Sequence, residues 1–251
     1  MNDSKEYRQK KDFFKNVITV YGRHVVKEVM QNNSIKIYKL HLADSNKADN
    51  TINQILKLAT KRKIEIVYHD KKALARISKA GKQDQGVAAD IISSTYKNTD
   101  EIYALKSYRF LALEGIQNPQ NLGLIIRSAA AGNIDGIILP KKNSAKISPL
   151  VIKASAGTLF KIDIYYCDTL DDVLKNMQDK CEIFALSSHS KEDIYSLHVK
   201  NRAIFVLGNE SEGISENIKE LCNKSVKIPM QRDVESLNVA ITAALISFLP
   251  K

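Results

Sequence analysis

No run of about 18 apolar residues interrupts the 251-residue sequence, so no membrane-spanning helix is expected. The opening stretch MNDSKEYRQKKDFFKN is polar and charged, without the apolar core of a secretory leader. Only three cysteines occur, Cys167, Cys181 and Cys222, an odd number at no metal-like spacing. They read as reduced, buried thiols of a cytoplasmic protein, and no Cys/His cluster calls for zinc or another metal. The five histidines, His24, His41, His69, His189 and His198, are scattered and read as structural or surface residues. No Ser-His-Asp spacing supports hydrolysis. The dinucleotide fingerprint G-x-G-x-x-G is absent, and Gly208 to Gly213 carries no following Lys-Ser/Thr, so it is no P-loop. Internal repeats and low-complexity segments are missing too.

Positive charge is present in excess. The formal net charge is +10, which points to an anionic partner. Residues 1–105 hold 20 Lys+Arg against 12 Asp+Glu, a balance of +8, and residues 106–251 hold 18 against 16, a balance of +2. The excess therefore gathers in the first two-fifths of the chain.

Hydrophobic periodicity divides the chain into two α/β halves. In the first, GRHVVKEVMQN, DNTINQILKLATKRK and DKKALARISKA read as helices, while IKIYKLHLA, IEIVYH and GVAADIIS read as strands. KAGKQDQG reads as a loop, and STYKNTDEIYALKS as linker or short helix. The expected organisation is a first domain over 1–95, a linker over 96–107 and a second domain over 108–251. In the second, short apolar strands alternate with helices from YRFLALEGI through SVKIPM, with a last helix starting near Ser236. That alternation predicts a parallel sheet covered on both faces, with ligands beyond the carboxyl ends of its strands.

Three of those loops carry unusual residues. In NPQNLGLIIRSAAAGN, Asn121 opens a helix and Arg127 lies within it, a hydrogen-bonding group and a rigid fork for phosphate or a developing oxyanion near a helix N-terminus. A plain turn and a solvent-facing arginine is the bland alternative. In FVLGNESEGIS, Gly208 ends a buried strand and Glu210 follows, an acidic loop suited to ammonium or hydroxyl groups rather than phosphate. In KIPMQRDVESLNVAITAA, Ser236 and Asn238 are candidate helix caps, and backbone near Ile228 and Leu237 is placed to read an adenine-like edge.

Together NPQNLGLIIRSA, KASAG, FVLGNESEGI and KIPMQRDVESLNVAITAA resemble, in order and spacing, the three motifs of the SpoU/TrmH family of RNA ribose methyltransferases. The likeness runs from about Tyr108 onward. Upstream, YGRHVVKEVM and DQGVAADI are similar to the L30e-like substrate-binding domain of the branch that methylates a guanosine of 23S rRNA. The resemblance implies a parallel SPOUT fold with a deep trefoil knot, S-adenosylmethionine (AdoMet) as methyl donor with no metal, an RNA substrate and a homodimer. By position it implies Arg127, Asn121, Glu210, Ser236 and Asn238 as the catalytic set. Gly208, Ile228, Leu237, Met230 and Leu207 are implied as the cofactor-binding set.

Two positions depart from the pattern. Asp84-Gln85-Gly86 stands where many relatives have His-Gln-Gly, placing a carboxylate on the expected RNA-facing side, and Ala240 stands where serine is common. A tRNA ribose methyltransferase and a non-catalytic RNA-binding assembly factor are the alternatives. The L30e-like half speaks against the first, the intact polar set against the second.

Overall fold

A computed structural model describes residues 17–46, 49–92 and 96–250. The opening stretch 1–16 and the expected domain boundary near residue 95 lie outside them. The chain divides into two compact units, Met1–Ser94 and Thr95–Lys251.

The first unit contains β1 (Val17–Tyr21), α1 (Arg23–Gln31), β2 (Lys36–Ala43), α2 (Asn50–Lys61), β3 (Glu65–His69), α3 (Lys71–Ser78) and β4 (Val87–Ile92). Its sheet runs β1-β4-β2-β3, with β4 antiparallel to both β1 and β2, and β3 parallel to β2. β1 is an element that periodicity did not reveal, because three of its five residues are only half-buried and it shows no alternation. Each helix buries one stripe: Val25, Val26, Val29 and Met30 on α1, Ile52, Ile55 and Ala59 on α2. Asp49 and Asp70 cap α2 and α3, accepting from Ile52 N at 2.8 Å and Ala73 N at 2.7 Å. Asp84 is turned into the protein rather than to its surface. It is 6% exposed, and its carboxylate accepts from Ser78 Oγ and Gly86 N, each at 2.9 Å, so it builds the turn into β4.

β1 to β4 together hold a partly buried polar line. His41 stands 3.0 Å from His69 and 3.1 Å from Asp90, whose other oxygen accepts from Thr19 Oγ1 at 2.7 Å. Burial, and then the neighbouring His41, lower the His69 pKa from its ordinary value near 6.5, with Asp44 and Asp70 opposing in part. Folding therefore favours neutral His69. Its contribution to stability is whole above about pH 6.5 and is lost as the pH falls below that value. The urea midpoint of the full chain is expected to drop on acidification through pH 6, and His69→Gln is expected to flatten that slope. An unchanged slope in the variant would refute the assignment.

The second unit contains β5 (Tyr96–Asn98), β6 (Tyr108–Leu113), α4 (Pro119–Ala131), β7 (Gly136–Pro140), α5 (Pro149–Ala154), β8 (Asp163–Cys167), α6 (Leu170–Met177), β9 (Glu182–Leu186), β10 (Glu192–Asp193), β11 (Arg202–Leu207), α7 (Glu216–Glu220), β12 (Lys224–Lys227) and α8 (Val239–Ser247). Its eight strands are all parallel, in the order β10-β12-β9-β11-β6-β7-β8-β5. The central strands β6, β7 and β11 are buried almost throughout, as strands covered on both faces must be. The segment expected to be a linker, 96–107, belongs to this unit instead. β5 pairs with β8, and Ile102 in the following 3-10 turn is fully buried in the core. The reason is the apolar Ile102 and Leu105, which a weakly patterned segment concealed.

α8 packs on α4 and is tied down at its far end. The buried Arg109 guanidinium donates to Leu249 O at 3.0 Å and Pro250 O at 2.8 Å, and Asn133 Nδ2 donates to Leu249 O at 3.0 Å. α8 starts at Val239 rather than near Ser236. Arg232 and Asp233 both adopt left-handed backbone, with φ of 58° and 56°, so the chain turns there before a helix can begin. Asn238 alone caps it, accepting from Ala240 N at 2.9 Å.

Candidate functional site

The carboxyl ends of β9, β11 and β12 open onto a cavity of about 330 Å³. β12 ends at Lys227, one residue before Ile228, so Ile228 and Met230 are free of the sheet and line the cavity. Leu207, Gly208, Glu210, Ser236 and Leu237 line it as well. All five residues expected to bind the cofactor, and two of the catalytic set, thus converge on one space. Ser236 is exposed on the cavity wall and caps nothing.

The loop after β11 is a tight hairpin. Asn209 N donates to Gly213 O at 3.1 Å and Gly213 N to Asn209 O at 2.9 Å. Gly208 enters it with no room for a side chain: a Cβ there would lie 2.2 Å from the Gly213 carbonyl carbon and 2.4 Å from Ile214 N. Gly213 itself sits at φ 71° with open space around it. The hairpin turns Glu210 outward, toward α4.

At that lip three polar residues form a chain. Asn121 Nδ2 donates to Glu210 Oε1, and Asn238 Nδ2 donates to Asn121 Oδ1 at 3.3 Å. Asn118 caps α4, accepting from Gln120 N at 2.8 Å, and so fixes the turn on which Asn121 rides. The trio joins three segments far apart in sequence and holds the Asn121 amide in one orientation. Arg127 is not brought into it. It lies six residues along α4, roughly 9 Å of helix rise, is exposed, and makes no hydrogen bond or ion pair among the described residues. It shares a stripe of α4 with Leu124, which is 44% exposed.

The loop after β9 supplies the wall that motif reading passed over: Ser187, Ser188 and His189, with Lys219, Lys227 and Thr242 from other segments. His189 is exposed, as expected, but it borders the cavity. Position after a strand of a parallel sheet was the available signal for this loop. The cysteines stay outside the cavity lining. Cys167 is buried, Cys181 and Cys222 only in part. Burial pushes the Cys167 thiol up to about 11 and the Cys222 thiol up to about 12, so neither is a thiolate at neutral pH. Among the described residues, no group of three or more His, Cys, Asp or Glu side chains is arranged to hold a metal ion, and no helix is long and apolar enough to cross a membrane.

Residues 108–248 match the SpoU rRNA methylase family, and residues 19–97 match the substrate-binding domain of RNA 2′-O ribose methyltransferases. A Staphylococcus saprophyticus protein assigned to the TrmH family of tRNA/rRNA methyltransferases is 32% identical over 237 residues, covering 92% of this chain and 94% of that one. YacO of Bacillus subtilis, given the same assignment, is 29% identical over 235 residues, covering 91% and 93%. In fold, the chain is similar to the SpoU methyltransferase AviRb of Streptomyces viridochromogenes, solved in complex with AdoMet: TM-score 0.80, 19% identity, 97% of this chain and 91% of that one.

Proposed function

We propose that this chain, which belongs to the SpoU rRNA methylase family and is an RNA methyltransferase, methylates a ribose 2′-hydroxyl of RNA with AdoMet as donor, and that its target is a guanosine of 23S rRNA. The observation that supports this reading is the Asn121–Glu210–Asn238 chain at the lip of the cavity. A ribose hydroxyl is a weak nucleophile, and such a reaction is accelerated by holding oxygen and methyl carbon in line.

The residues present suit the donor. Leu207, Ile228, Met230 and Leu237 offer an apolar wall for a purine, and Glu210 and Glu212 offer carboxylates to a ligand carrying sulfonium and ammonium charge. The cavity volume lies in the range of small-ligand pockets. AdoMet supplies an activated methyl group on a good leaving group. In the transfer an O–CH3 bond forms, the S–CH3 bond breaks to leave a neutral thioether, and the proton of the 2′-hydroxyl passes to solvent water. Asn121, Ser236 and Asn238 position ribose and donor, and Glu210 orients the Asn121 amide. Arg127 orients the target phosphate and stabilises the developing alkoxide.

The reading includes a deep trefoil knot in the second unit, a cytoplasmic enzyme and a homodimer. The dimer is supported by α8 and the residue that follows it: Ile241, Leu245 and Phe248 are 51%, 36% and 61% exposed, an apolar face of the kind that marks an interface. Arg127 and Leu124 lie exposed on the helix packed against α8, so a second copy covering α8 would meet Arg127 as well. The +8 balance of residues 1–105 fits a unit that gathers a phosphate-rich substrate.

The test is methyl transfer from labelled AdoMet to unmodified 23S rRNA, 16S rRNA and tRNA separately, with the label mapped by alkaline hydrolysis, which a 2′-O-methyl group blocks. One alkali-resistant linkage in 23S rRNA is expected. Label confined to tRNA would overturn the substrate and keep the chemistry. Neither labelling nor AdoMet binding would leave an RNA-binding protein without catalysis.

A further inference from the structure

The carboxyl edge of the second sheet can be followed across the molecule. β12, β9 and β11 end at the cavity, β6 leads to Asn118 and Asn121, and β7 comes next in the sheet. The loop after β7, residues 141–148, reads KKNSAKIS. It is fixed at several points. Lys141 N donates to Cys167 O at 2.9 Å, Asn143 turns the chain with a left-handed φ of 55°, and Ser148 caps α5. In its middle, buried Ala145 donates its N–H to Ile116 O at 2.8 Å, tying the loop to the segment that delivers Asn121. Neighbouring strands are about 4.8 Å apart, so the end of β7, from which the loop leaves, stands about 10 Å from the end of β11, with β6 between them.

Its three lysines differ. Lys141 is engaged by Asp168 at 2.8 Å. Lys142 and Lys146 are exposed and have no ion pair among the described residues. Between them the Ser144 hydroxyl is buried without a hydrogen-bond partner among the described residues, a donor the loop does not use internally. This is a fixed, cationic shelf in a unit whose overall balance over 106–251 is only +2.

We propose that the loop 141–148 is a phosphate-contacting shelf on the catalytic unit itself, where Lys142 and Lys146 hold the RNA backbone beside the target nucleotide. The inference rests on the RNA-methyltransferase reading above. It makes these lysines positioning residues: they neutralise phosphates, so they set RNA affinity and its salt dependence while leaving the methyl donor's site untouched. The charges are spaced along a pinned loop, so the register of the bound strand, and with it the hydroxyl presented to the trio, depends on them.

The experiment uses the full chain and the RNA that the wild type methylates. Lys142→Gln, Lys146→Gln, the double variant and a control, Lys175→Gln at an exposed position of α6, are compared. Each shelf substitution is expected to reduce the slope of log affinity against log salt by about 0.7 to 0.9. The double variant is expected to raise KM for RNA at least about tenfold at near-physiological salt, with AdoMet affinity and thermal midpoint unchanged. The control is expected to change neither slope nor KM. Unaltered slopes in the shelf variants, or equal changes in the control, overturn the inference while wild-type methylation keeps the reading. A wild type that neither binds nor methylates RNA overturns both.

Discussion

Gly208→Ala should weaken AdoMet binding by up to about 100-fold while leaving most of the sheet intact. The alanine Cβ has nowhere to go: the atoms within 2.2 to 2.4 Å are backbone of Gly213 and Ile214, not the ends of flexible side chains. Relief requires opening the Asn209–Gly213 hairpin, whose two hydrogen bonds hold Glu210 at the lip of the cavity. Overpacking of this kind costs about 1–3 kcal/mol, and 3 kcal/mol felt at the cavity is a roughly 100-fold weaker dissociation constant. Gly213→Ala is the comparison. It meets no atom within 4 Å, and its only cost is the left-handed backbone, about 1–2 kcal/mol. Calorimetry of AdoMet binding and the thermal midpoint of both variants decide the matter. Near-normal affinity in Gly208→Ala would show that the hairpin does not shape the donor's site.

Arg127→Ala should lower kcat about 100- to 1,000-fold, the range for removing one group that stabilises developing negative charge, with AdoMet affinity within about twofold. Asn121→Ala should do the same by releasing the trio. Arg127 is exposed and unconnected to the trio of its own chain, so in a dimer that supplies it to the partner's site the two defects should complement each other. In a dimer that shares Arg127 across its interface, random co-assembly of the two variants leaves one intact site in half of the dimers, about a quarter of wild-type activity. Co-expressed variants and a single-turnover assay measure this directly. Absence of recovery, with mixed dimers verified, would place Arg127 at the site of its own chain or outside catalysis. Near-normal turnover of Arg127→Ala alone would remove it from the mechanism.

Most of the second unit was legible because its strands are short apolar runs separated by helices with clear stripes, a pattern with few alternatives to a parallel sheet. Leu207, Gly208, Ile228, Met230 and Leu237 could be named together because the motifs that carry them resemble those of the SpoU/TrmH family, and the structure brings them to one cavity. Legibility failed where the signal is three-dimensional. β1 needs β4 beside it, since VITVY alone shows no side that must be buried. Asp84 reads as a surface carboxylate until Ser78 and the Gly86 N–H fold around it. Ser187 to His189 hold no motif and matter only because β9 lies between β11 and β12. The start of α8 was misread by two to three residues because Ser236 and Asn238 are equally good caps by type, and only the consecutive left-handed residues before them decide between the two.

The carbonyl clamp on α8 has a kinetic consequence. Arg109 lies in the sheet's interior at the start of β6, and its acceptors come 140 and 141 residues later. Until α8 docks, a folding intermediate must keep an unsatisfied guanidinium in its core or leave β6 unformed, and both are costly. Strand order and helix docking are thus coupled over a long loop, the condition for slow, all-or-none closure. The same coupling runs backward. A ligand that grips Thr242 and Val239 at the other end of α8 resists unfolding of the whole unit, and saturation at 100 times its dissociation constant would add about 2.7 kcal/mol. In a cell, the level of methyl donor would then set how long this unit survives proteolysis as well as how fast it works.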